Sequence, residues 1–174
     1  MLRRMTVPER ITPPQVADER ATLSAYLDYQ RGTLEMKCSG LTDEQLRTRG
    51  VPPSSLSLLG LVRHLTDVER SWFGRCFARR QVRPLYSGET DNIDGDFDDL
   101  AFPDVTHVFG TYREACEESR RIVAGAGSLD DLGVRGNGSD VTLRWIMLHM
   151  LEEYARHNGH ADFLRERIDG VTGE

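Results

Sequence analysis

The chain has 174 residues, 39% hydrophobic and 29% charged, the size and balance of one ordinary domain, so residues 1–174 are expected to fold as a single unit. A net charge of −6, with Lys37 the only lysine and the arginines scattered among acids, offers neither the clustered cations of a nucleic-acid binder nor a polybasic membrane patch. Cys38, Cys76 and Cys116 are odd in number, far apart and without a CxxC spacing, which argues against a disulfide scaffold or a cysteine zinc site and favours a reducing, cytoplasmic setting.

The opening residues 1–10 carry positive charge with no apolar run behind it, and the longest apolar run, Leu56 to Val62, is broken by Ser57 and Gly60; neither an export signal nor a membrane span is expected. After Pro13 and Pro14, Val16, Leu23, Tyr26, Leu27, Leu34 and Cys38 recur at helical spacing up to Gly40, predicting a first helix over about 14–39. Thr42 to Gln45 has the form of a capping box for a short second element, which Pro52 and Pro53 must end. Ser54 to Ser57 offer caps for a long helix to about Arg80, with Leu58, Leu61, Val62, Leu65, Val68, Trp72, Phe73, Cys76 and Phe77 on its apolar side.

Residues 81–103, with Pro84, Gly88, Gly95, Pro103 and an acidic run over 89–99, read as a long loop; solvent-exposed carboxylates are the expectation, with a cover over a site as the alternative. Asp104 caps a third helix that Gly125 and Gly127 end, residues 128–139 form another loop, and Ser139 or Asp140 starts a last helix, about 141–168, stopped by Gly170. No alternation long enough to insist on a strand is present. The pattern predicts an all-α, antiparallel four-helix bundle, with the loop between the second and third long helices long enough for an up-down-down-up path.

Chemistry concentrates on the last helix. On a wheel with His149 at zero, Glu153 falls at about 40° and His157 at about 80°, inside the apolar face, while His149 and His160 lie on its edge. A glutamate on a buried stripe must be paired, protonated or metal-bound. The four-residue spacing lets Glu153 and His157 converge on one ion, and His64 is the only histidine on the second long helix that faces the core; His107 is a poorer candidate. The residues alone leave another reading open, since a lone core histidine is more often hydrogen-bonded than a ligand, and Glu153 has Arg70, Arg75 and Arg156 as ion-pair partners. HExxH, GxSxG, P-loop and Rossmann patterns are absent, and no second Glu-x-x-His motif faces the first. A mononuclear site remains.

Two stretches, Leu58 to Phe73 around His64 and Trp145 to His160 around Glu153 and His157, make nearly the whole chain similar to the DinB/YfiT-like metalloenzyme superfamily. Within it, the sequence resembles the branch that includes the N-terminal domain of mycothiol-dependent maleylpyruvate isomerase. Glu153 stands where many relatives have histidine, as in the mycothiol-using branch, and this leaves room for His149 or His160 to take part. The resemblance implies a DinB-like up-down-down-up bundle, a divalent metal on His64, Glu153 and His157, and a homodimer. The isomerase's extra domain is missing, so its particular reaction does not carry over. Two histidines and a carboxylate leave a position open, as in catalytic zinc sites, though nickel, iron and manganese also suit the set. The expected activity is a metal-dependent thiol S-transferase that activates mycothiol or another low-molecular-weight thiol, or water, against a small-molecule substrate. The alternative is a non-catalytic, dimeric metal-binding bundle acting in stress response. Asp67, Glu152 and Asp162 are candidate partners for the ligand histidines, Arg144 and Arg156 for a substrate carboxylate.

Overall fold

Each long helix begins where a short polar side chain closes the first turn. In a computed structural model, which describes residues 10–88, 91–98 and 104–172, helix α1 spans Glu19–Cys38 and starts at Asp18, whose carboxylate accepts from the Ala21 amide at 2.8 Å. The helix thus begins five residues later than the prolines suggest, and Val16, expected on its apolar face, is exposed. The predicted capping box is present: Thr42 and Gln45 bond each other's amides and start α2, Asp43–Arg47. Ser57 caps α3, Leu58–Glu69, and Asp104 caps α5, Val105–Gly125. Such caps contribute about 1 kcal/mol each.

The second long helix is not α-helical throughout. From Arg70 to Phe77 it widens into a π segment, with the Ala78 amide bonded to the Phe73 carbonyl five residues back, at 2.9 Å. A short helix, α4, Gly95–Asp98, interrupts the predicted loop. The second predicted loop contains a two-stranded antiparallel ribbon, β1 (Leu132–Val134) with β2 (Asp140–Thr142), in the register Gly133 opposite Val141. Three-residue strands are too short to show alternation in sequence. Gly133 packs where a Cβ would stand 2.8 Å from the Cys76 carbonyl oxygen and the Phe77 Cα, so the ribbon lies directly on the end of the π segment. Helix α6, Leu143–Asp169, follows β2 without a linker; Thr142, rather than Ser139 or Asp140, caps it, and it ends at Gly170.

The molecule is mostly helical. Helix α1 packs mainly on α6, α3 on α5, and α3 also meets α6 and α1 around one apolar core that includes Leu34, Leu65, Phe109, Ile146 and Met150. Burying side chains of this size stabilises by roughly 1.5–3 kcal/mol apiece. A polar network crosses that core. Arg31 of α1 donates two bonds to the carboxylate of Glu69, at 2.7 and 2.8 Å, and Tyr154 of α6 donates a third at 2.9 Å. Tyr112 of α5 meets the Tyr154 hydroxyl at 3.1 Å, so four helices share one set of bonds. Among the described residues no helix is long and apolar enough to cross a membrane. The expectation for residues 1–9 lies outside the described residues.

Candidate metal centre

The apolar stripe of α6 carries Glu153 and His157 inward, as their wheel positions predict. His157 is buried, and Glu153 is half-buried with its Oε2 3.3 Å from His157 Nε2. Helix α3 brings His64 against them, with the His64 and His157 ring centroids 4.8 Å apart. One ligand atom from each of His64, Glu153 and His157 lies within 4.8 Å of the other two, so the three sequence-predicted residues form one cluster between two helices. His107 is exposed on α5, and among the described residues it bonds its neighbours through its backbone.

The imidazoles are oriented by groups outside the cluster. His64 Nδ1 lies 2.8 Å from Asp96 Oδ2, and Asp96 is buried. A carboxylate there holds the proton on Nδ1 and leaves the Nε2 lone pair free for a cation. Asp96 reaches His64 because α4 docks on α3 at Gly60, where a Cβ would stand 2.8 Å from the Phe97 ring; any larger residue would push Phe97 and Asp96 away. His160 takes the corresponding place for His157, their Nδ1 atoms 3.3 Å apart. Burial first, then repulsion from His64, His160 and Arg156, pulls the His157 imidazole down to about 4 against a weaker opposing pull from Asp96. It is therefore neutral near pH 7, the form that binds a metal.

Two features surround this cluster. His149 stands with Nε2 3.6 Å from Glu153 Oε1, stacks on Trp145 at 5.0 Å and meets Trp72 edge-on at 4.7 Å. His149, Glu152 and Glu153 make a second, overlapping candidate group. All three come from one helix and Glu152 is exposed and paired with Arg156, so the two-helix set is the better cage. Beside His64 opens a cavity of about 320 Å³, walled in part by His64, Asp96, Trp72, Arg70, Arg75 and Arg83. About half of that wall comes from α3 and the π segment, and the rest from the stretch over 82–97.

The donor set suits a divalent cation: two imidazole nitrogens and one carboxylate, at convergent positions, with room beside them. These three are legible in the sequence and Asp96 is not, because it sits in a run of aspartates with nothing to distinguish it. The acidic run is not uniformly solvent-exposed as expected, because Asp96 is buried; Glu89 and Asp99 lie outside the described residues. The other proposed partners are occupied. Asp67 accepts the amides of Leu85, Tyr86 and Ser87, Asp162 pairs with Lys37, and Glu152 binds Arg156 while keeping 3.4 Å to His149. Arg144 is spent on Glu19 and Asp130, and Arg156 reaches Glu153 at 3.4 Å, the one expected ion-pair partner that does so.

A family model described as mycothiol-S-transferase matches residues 22–170, a span that includes every residue of the cluster. No curated protein matches the chain.

Proposed function

The chain belongs to the mycothiol-S-transferase family, and from that premise we propose that it joins a low-molecular-weight thiol of the mycothiol kind to an electrophilic small molecule, at a divalent metal held by His64, Glu153 and His157. The observation that carries this reading is the convergence of those three side chains, from two helices, within 4.8 Å. A metal there, zinc first for this donor set with nickel, iron or manganese also suited, supplies a Lewis acid that favours the thiolate form of a thiol near neutral pH. Asp96 keeps the His64 ring in the useful tautomer, and His160 sets the ring of His157. Glu153 supplies negative charge against the cation. His149, beside Glu153 and partly exposed, is placed to take the proton that the thiol gives up. The sulfur then forms its bond to the electrophilic carbon as the leaving group departs with the bonding pair. The cavity beside His64 gives the electrophile a place, which supports catalysis over simple metal storage. The same reading includes a single domain with the up-down-down-up helix order, a homodimer, and a cytoplasmic setting in which small thiols stay reduced.

The experiment is elemental analysis of protein purified without a metal-affinity tag, joined to a thiol-conjugation assay. Wild type should hold one divalent ion per chain, and His64→Ala and His157→Ala should lose both ion and conjugation. Metal content that is absent, or unchanged in both variants, would overturn the proposal. Turnover that no added thiol stimulates, with a cobalt-substituted spectrum that no thiol perturbs, would assign the site to hydrolysis.

A further inference from the structure

Resting on that reading, the geometry points to a carboxylate-binding subsite in the cavity beside His64, formed by Arg70, Arg75 and Arg83, which selects electrophiles that carry an anionic group. Many arginines elsewhere in the protein are paired with carboxylates, among them Arg31 with Glu69, Arg113 with Glu35, Arg120 with Asp28, Arg144 with Glu19 and Arg156 with Glu152. The three on this wall are different. Arg70 donates to the Arg83 carbonyl at 3.3 Å, Arg75 to the Ser71 hydroxyl at 2.8 Å, and among the described residues none of the three is paired with a carboxylate.

The Nε of Arg70 is buried and has no hydrogen-bond partner. A guanidinium with an unmatched buried donor is costly to keep without a counter-charge, and a carboxylate at its outer N–H groups would supply one. The acids on the same wall do not compete well for it: Asp67 is saturated by three backbone amides, Asp96 is committed to His64, and Asp94 is exposed. His64 and Trp72 also wall the cavity; His64 contacts His157 of the metal cluster, and Trp72 meets His149 beside it. A carboxylate seated on the arginines would therefore leave the rest of a small molecule beside His64 and Trp72. A thiol of the mycothiol kind, an acylated aminosugar, carries hydroxyls and amides rather than an anionic group. The three cations thus match the other reactant, and the guanidinium fork suits a planar carboxylate in particular.

The test has two arms. In the first, metal-free protein is titrated with succinate and with neutral succinamide, and the arginine Nε–H signals are followed in proton–nitrogen correlation spectra. The Arg70 signal should move with succinate alone, and Arg70→Gln combined with Arg83→Gln should weaken binding about tenfold or more. Because Arg70 lies in the π segment, the single Arg83→Gln variant is measured beside it, and the melting temperature of each variant confirms that it is folded. Signals that stay still, or that move equally with succinamide, would overturn the subsite. In the second arm, holoprotein conjugates a thiol with iodoacetate or iodoacetamide, the thiolate displacing iodide in both. The kcat/KM ratio of acid to amide should exceed that of the uncatalysed reaction and fall toward it in the variants; an unchanged ratio would count against the subsite. Succinate binding without any thiol conjugation would sink the transferase reading and leave the subsite standing. Conjugation that ignores the charge of the electrophile would do the reverse.

Discussion

Two glutamates sit at helix contacts in this protein, and they differ in what is left over. Glu69 at the end of α3 is fully buried and accepts two bonds from Arg31 and one from Tyr154, with the Cys116 thiol 3.9 Å away. Every strong donor is matched, so the network has nothing to offer a ligand; it ties α1, α3, α5 and α6 together. Glu153 on α6 has two imidazoles at 3.3 and 3.6 Å and an arginine at 3.4 Å, all longer than the Arg31 and Tyr154 bonds to Glu69. Its neighbours bring lone pairs as well as protons. A saturated buried carboxylate holds a fold, whereas converging lone pairs with no proton between them make a place for a cation.

The comparison can be broken most directly at Glu69. Glu69→Ala leaves the buried Arg31 guanidinium without its main counter-charge and should destabilise the protein by about 3–5 kcal/mol, read from urea unfolding. The molecules that remain folded should still bind metal at full stoichiometry; loss of metal from a stable Glu69→Ala protein would show that the two glutamates share one function. His157→Ala should give the opposite pattern, with metal lost and little cost to the metal-free fold. A smaller effect sharpens the role of orientation: Asp96→Asn removes the carboxylate that sets the His64 tautomer and should weaken metal binding about 10–100-fold by competition with a chelating dye. A last effect is on pH dependence. Because the His157 imidazole is held down to about 4, the unfolded chain takes up a proton there before the folded one does. Metal-free protein should keep its full His157 contribution above roughly pH 6.5 and lose it as pH falls toward 4. His157→Gln should flatten that slope in thermal melts across the same window.

Much of the fold was legible because its signals are local. The Thr42 capping box, the Asp104 cap, the Gly170 stop and the inward face of α6 each depend on residues within a turn or two of one another. The candidate ligands were legible for the same reason, since Glu153 and His157 share one stripe and His64 is the one histidine on the opposing helix. What escaped depends on distant partners. Arg31 and Glu69 are 38 residues apart, and neither looks unusual where it stands. Asp96 is one of several aspartates in its stretch, and only the approach of α4 to Gly60 singles it out. The π segment is also silent in sequence, because Arg70 to Phe77 would read equally well as α-helix.

That widened segment makes the protein sensitive to chain length as well as to residue type. Removing one residue between Arg70 and Phe77 would let the helix close to α geometry and re-aim the side chains within that turn, with the register beyond it largely kept, since a widened turn is how a helix absorbs one extra residue. Trp72 and Arg75 would keep their identities and lose their bearings, and the ribbon seated through Gly133 would meet a different surface. A homologue one residue shorter in this turn could therefore keep His64, Glu153 and His157 intact and present a differently shaped chamber beside them. In such a lineage, substrate choice could diverge through indels while the ligand set stayed the same.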